Sequence, residues 1–205
     1  VWHWSINLTS VANSTLLANA APIFVTLGGF FLFGERFSKL FIIGLICAIT
    51  GIFLLMSDSY TLGQRNLLGD FLGILTAIFY AAYILTVGKL RSEFSTATVM
   101  IWSGIVSCLA LIPMAILSGE GLFASSLTGW LVLLLLALLS QAGGQSLITF
   151  SLAHLSPALG SVGLLLQPVL AALLAWVLFG EVLGSLQLFG GMIVLVGIYF
   201  AKRGA

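Results

Sequence analysis

The chain has 205 residues, 60% of them hydrophobic and only 6% charged, with a net charge of +1 and a mean hydropathy of +1.22. Soluble domains carry about 25% charged residues, so a water-soluble fold is excluded, and this charge balance gives no reason to expect nucleic acid as a partner. Apolar stretches of about 18–23 residues without Lys, Arg, Asp or Glu fit α-helices crossing a hydrocarbon core about 30 Å thick, and are far too long for barrel strands of about 9–11 residues.

The expected fold is therefore all-α, a polytopic transmembrane helical bundle. Residues from Val1 to about Ile6 read as the tail of a helix, and seven complete spans follow. They run over Val11–Phe33, Leu40–Ser57, Leu67–Gly88, Thr98–Leu117, Gly129–Ala153, Leu159–Phe179 and Leu186–Ala201. The connectors between them are short and polar, as in Gly34-Glu35-Arg36-Phe37-Ser38-Lys39 and His154-Leu155-Ser156-Pro157. Cys47 and Cys108 stand alone inside apolar runs and read as small buried hydrophobes.

Part of the chain repeats. A constant offset of 146 residues carries Pro22 onto Pro168, Phe33-Gly34-Glu35 onto Phe179-Gly180-Glu181, Gly44 onto Gly190 and Gly51 onto Gly197. Arg36 and Lys39 become Val182 and Ser185 under the same offset. Packing residues are kept while basic residues are lost, which is what two copies inserted in opposite directions would show. Basic residues in alternate connectors give the same answer. Arg36, Lys39, Lys89, Arg91, Lys202 and Arg203 fall on one side and only Arg65 on the other, so the six mark the cytoplasm and place the C-terminus there. Tandem copies are inverted only when each holds an odd number of spans. Leu67 to Ala201 holds five, so the whole would have ten, five plus five. With the repeat as a ruler, roughly 75–85 residues are expected ahead of Val1.

The run Leu8-Thr9-Ser10-Val11-Ala12-Asn13-Ser14-Thr15-Leu16-Leu17, then Pro22 and Phe33-Gly34-Glu35, has its counterpart in Ser156-Pro157-Ala158-Leu159, Gln167-Pro168 and Phe179-Gly180-Glu181. In order and spacing the chain resembles the EamA family of the drug/metabolite transporter superfamily. There each half ends in a small-residue-rich helix, a mid-helix proline, a Gly-Glu turn and a glycine-containing last helix. The resemblance covers essentially the whole chain. It implies an inverted repeat of five-helix units, ten helices in the full family fold. Residues 1–57 would be the end of helix 3 with helices 4 and 5, residues 58–66 the inter-repeat loop, and residues 67–203 helices 6 to 10. It further implies a secondary transporter in a bacterial-type inner membrane, exporting amino-acid-like or other polar small molecules by alternating access, with no cofactor. The first two family helices and most of the third have no counterpart here.

Candidate functional residues are the helix breakers and the polar stripes. Pro22 and Pro168 sit mid-span, where proline removes a backbone hydrogen bond and bends the helix, and they are candidates for a gating bend. Thr15, Asn19, Pro22 and Thr26 share one helical face, as do Gly69, Gly73, Thr76, Tyr80 and Tyr83. Gln141 and Gln145 are four apart, and Gly160, Gly163, Gln167 and Ala171 line one side. Such faces point inward, either to a cavity for a solute or to interhelical bonds worth about 1 kcal/mol each. The substrate-pathway candidates are His3, Trp4, Asn19, Tyr80, Tyr83, Gln141, Gln145 and Gln167. His3 and Trp4 fit an interfacial aromatic belt as well. Glu35 and Glu181 fit caps that fix the ends of the two halves. The glycine faces fit close helix packing, within the chain or in a homodimer. The chain lacks H-E-x-x-H, G-x-S-x-G and paired deep aspartates, so neither an enzyme nor a metal site is expected. A channel is a further class. Within carriers the alternative is a nucleotide-sugar or sugar-phosphate exchanger, for which the cavity faces hold few basic groups.

Overall fold

The computed structural model describes residues 1–9, 11–56, 67–117, 124, 126–180 and 184–205. The connector 58–66 with Arg65, most of the connector 118–128, and Glu181 with Val182 lie outside the described residues. Helices Asn13–Phe33, Leu67–Leu90, Thr96–Leu117, Leu127–Ser151, Pro157–Leu178 and Ser185–Gly204 are long and apolar enough to cross a membrane. Lys39–Leu55, where the sequence predicts a further span, is a shorter apolar helix of 17 residues. No strand occurs among the described residues.

The chain divides into two units, residues 1–85 with 156–205, and residues 86–155. In the first unit α1 (Trp2–Leu8) leads into a broken span made of α2 (Val11–Ala18) and α3 (Ala21–Phe33). A second broken span is made of α9 (Pro157–Leu164) and α10 (Leu166–Phe179). Both breaks have one cause. A proline cannot donate to the carbonyl four residues back, and α2 and α9 end at Ala18 and Leu164, four residues before Pro22 and Pro168. In the first break the Thr26 hydroxyl donates to the Pro22 carbonyl at 2.8 Å. Each broken span ends on a left-handed glycine, Gly34 at φ +67° and Gly180 at φ +68°, a backbone region that a Cβ makes costly.

The inversion is visible where α4 (Lys39–Leu55) crosses α11 (Ser185–Gly204). A Cβ on Gly51 would lie 2.7 Å from the Gly190 carbonyl oxygen, and one on Gly190 would lie 2.7 Å from that of Gly51. Gly44 and Gly197 meet in the same reciprocal way, at 2.6 and 2.7 Å. As numbers rise along α4 they fall along α11, so these two helices, related by the offset of 146, run antiparallel. Backbone touches backbone, which only glycine allows. At one end the Ser38 hydroxyl donates to the Gly204 carbonyl at 2.6 Å and accepts from the Phe41 amide at 3.1 Å. The Gly34–Lys39 connector thus lies beside the end of α11, while Gly180 leads toward its start. The glycine faces of α4 and α11 pack against each other within the chain.

Helix α5 (Leu67–Leu90) starts against the junction of α1 and α2. The Ser5 hydroxyl donates to the Gly69 carbonyl at 2.7 Å, and Thr9 donates to Asp70 Oδ1 at 3.0 Å. Gly69 faces the Thr9 backbone and Gly73 faces Leu17, so this small-residue pair serves close approach.

The second unit holds α6 (Thr96–Leu117), α7 (Leu127–Leu135), a π-helical segment over Leu136–Gln145, and α8 (Ser146–Ser151). Arg91 ties it together. Its Nε donates to the Thr149 carbonyl at 3.2 Å and its Nη1 to the Phe94 carbonyl. The Thr149 hydroxyl donates to Met100 Sδ at 3.4 Å.

Gly51→Ala should force the two crossing helices apart and cost about 1–3 kcal/mol. Gly163→Ala, whose Cβ would meet nothing within 4 Å, should stay within about 0.5 kcal/mol of the parent. Reversible unfolding in mixed micelles measures both. Equal effects would mean that the crossing is not the tight contact described.

Candidate functional site

The two proline breaks and the start of α11 place polar side chains around one cavity in the first unit. It has a volume of about 400 Å³ and is lined by Thr15, Asn19, Leu55, Met56, Gln167, Pro168, Ala171, Ala172 and Gln187. Asn19 lies where the chain leaves α2, its backbone N–H donating to the Thr15 carbonyl at 3.0 Å. Gln167 and Pro168 stand in the first turn of α10, and Gln187 in the first turn of α11. Leu55 ends α4 and Met56 caps it, so the cavity lies toward the end of the α4–α11 pair opposite the Ser38–Gly204 bond.

Among the described residues the lining carries no formal charge. Among the described residues the side chains of Thr15, Asn19 and Gln167 make no hydrogen bond within the protein. Gln187 spends its Oε1 on the Gly184 amide at 3.0 Å. In a span an amide without a protein partner needs another, a solute or water. The volume suits a small metabolite, since ligand cavities run from roughly 300 to 1,000 Å³.

The other sequence candidates lie elsewhere. His3 and Trp4 are exposed on α1, with the His3 ring 5.4 Å from that of Trp2. Tyr80 and Tyr83 are half-buried on α5, their rings nearly parallel and 6.1 Å apart. Gln141 is exposed and Gln145 half-buried in the π-helical segment of the second unit. Pro22 is buried at the start of α3, whereas its repeat partner Pro168 borders the cavity. Glu35 folds back on α3, with Oε2 lying 2.7 Å from where a Gly29 Cβ would stand. Asp70 takes the Thr9 hydroxyl near the start of its span. No group of three or more His, Cys, Asp or Glu side chains suited to a metal occurs among the described residues. Gln187 was not expected. Its signal is a glutamine three residues after Gly184, the third position of a helix, where such side chains bond back to the cap.

Residues 1–57 and 67–202 match the EamA-like transporter family. The chain belongs to this family. An uncharacterized transporter of Archaeoglobus fulgidus is 25% identical, over 97% of this chain and 70% of that protein. A pseudopaline exporter of Pseudomonas aeruginosa is 23% identical over 98% of this chain and 69% of its own length. A probable amino-acid metabolite efflux pump of Salmonella typhimurium is 28% identical over 91% of this chain and 65% of its own. A crystal structure superposes with a TM-score of 0.78 at 18% identity, covering 98% of this chain and 70% of that one, a likeness of fold. Membrane-length helices and family together make this an integral membrane protein, a transporter whose surroundings are a small solute and lipid.

Asn19→Leu and Gln167→Leu remove side-chain amides that make no hydrogen bond among the described residues. Both variants should unfold within about 0.5 kcal/mol of the parent while export falls severalfold. The readout is the set of metabolites released by cells overproducing each variant at matched membrane levels.

Proposed function

We propose that this protein is a secondary transporter that exports small, net-neutral polar metabolites of amino-acid-like chemistry by alternating access. It sits in the plasma membrane with its C-terminus in the cytoplasm, and its two inverted copies divide as residues 1–57 and 67–203. One observation carries the reading. Shifted by the repeat offset of 146, the cavity lining falls on Ser161, Leu165, Ala201, Lys202, Ala21, Pro22, Val25, Thr26 and Phe41. All of these but Lys202 are buried, and Leu165 and Phe41 are only 2% and 1% exposed. The same helix positions that stand open at one end are closed at the other. A structure built from two inverted copies reaches its opposite state when the copies exchange arrangements. The positive-inside bias of Arg36, Lys39, Lys89, Arg91, Lys202 and Arg203 supports an open end that faces outside.

A lining without charge among the described residues supports a neutral or zwitterionic solute. A sugar phosphate or nucleotide sugar would lose its hydration with no basic side chain to replace it, which weighs against the exchanger alternative. The names of the relatives, an exporter of pseudopaline and a probable efflux pump for amino-acid metabolites, support the same direction and class.

Single cysteines in a background lacking Cys47 and Cys108 test the reading. On intact cells a membrane-impermeant maleimide should label Ala171→Cys and Ser185→Cys. It should reach Val25→Cys, the repeat image of Ala171, and Ser38→Cys poorly until the membrane is opened. Labelling of Ser38→Cys and Ser185→Cys from the same side would end the proposal, and so would unchanged export from cells carrying a cavity-filling Ala171→Trp.

A further inference from the structure

We propose that Gln187 selects for a carboxylate, acting as a donor-only wall of the cavity. The inference rests on the cavity being the transport site and goes further by naming the group recognised and the residue that recognises it. A carboxamide is ordinarily indifferent, offering an acceptor at one end and donors at the other. Here the indifference is removed. The Gly184 amide donates to Gln187 Oε1 at 3.0 Å, which fixes the oxygen on the helix side of the group. Gly184 has no side chain to complete a reciprocal cap. What remains for a ligand in the cavity is the Nε2 amino group. It sits in the first turn of a 20-residue helix with no acidic residue in that turn, where partial positive charge favours an anionic group. Among the described residues no acidic side chain lines the cavity to oppose it. The position has no equivalent in the other copy, since its image at the 146 offset is Phe41, buried and stacked on Phe37 at 5.0 Å between ring centres.

Glutamate at position 187 separates the two duties of this side chain. A carboxylate is as good a cap for the Gly184 amide as a carboxamide oxygen, but it presents no donor to the cavity and adds a negative charge.

The experiment uses the full chain carrying Ala171→Cys in nanodiscs and measures maleimide labelling in the presence of matched probes. These are L-leucine, L-threonine and L-phenylalanine, each beside its primary amide. The parent should label readily and be protected by at least one amino acid at a concentration about tenfold lower than by its amide. Q187E should reverse that order while hydrogen exchange at the Gly184 amide stays slow. Q187A should erase the order and speed that exchange. An order unchanged in both variants would leave Gln187 a cap only and overturn the proposal. Labelling that no amino acid slows would overturn the carboxylate assignment while leaving the cavity in place. Failure of Ala171→Cys to label at all would remove the cavity, and with it both readings.

Discussion

Everything in the first unit hangs on a crossing without side chains. Lipid offers a helix the same apolar company that a neighbouring helix does, so association in a membrane must come from contact density and hydrogen bonds. Gly44 and Gly51 on α4 and Gly190 and Gly197 on α11 supply that density by bringing two backbones within reach of each other. The crossing matches itself: rotating one copy onto the other exchanges the Gly44–Gly197 pair with the Gly190–Gly51 pair. The Ser38–Gly204 hydrogen bond then fixes the register at one end, and the cavity occupies the other.

The two ends of this arrangement are chemically unequal. At the open end Asn19, Gln167 and Gln187 present amides, and at the closed end the same positions carry Leu165, Ala21 and Phe41. Burying the side-chain amides of Asn19 and Gln167 without partners would cost several kcal/mol, so the polar set stands where solute or water can reach it. The apolar set packs as a core does, with Val25 wholly buried and Phe41 nearly so. Duplication supplied equal backbones, and substitution made one end wettable and the other dry. Proline acts on both alike, freeing a carbonyl and turning the chain at Asn19 and at Leu165.

The broad fold was open to reading from the sequence because its physics is one-dimensional. Charge-free runs set the spans, and basic residues in alternate connectors set the inversion, whatever the packing. Pro22 and Pro168 announced the breaks, although the break itself lies three residues earlier at its centre, because proline acts on the carbonyl behind it. The cavity was harder. Asn19 and Gln167 came from periodicity and Pro168 from its place as a mid-span helix breaker, yet Tyr80, Tyr83, Gln141 and Gln145 satisfied the same periodicity and are not among the described lining. A polar stripe marks a face turned from lipid and says nothing of whether a helix or a solute meets it. Gln187 escaped because it sits alone among apolar residues, and its meaning depends on a bond to Gly184 that only the start of a helix creates. The π-helical turns over Leu136–Gln145 left no trace in composition, since they change the backbone pitch and not the residue types.

The long reach of the α4–α11 contact bears on how the molecule is made. Ser38 and Gly204 are separated by 166 positions, and the glycine face of α4 meets nothing equally close until α11 has been synthesised. During biogenesis α4 must therefore wait in the bilayer with bare backbone turned to lipid or to an insertion chaperone. This crossing can close only once α11 has been made, and a ribosome that stalls before α11 would release a chain open to mispairing and proteolysis.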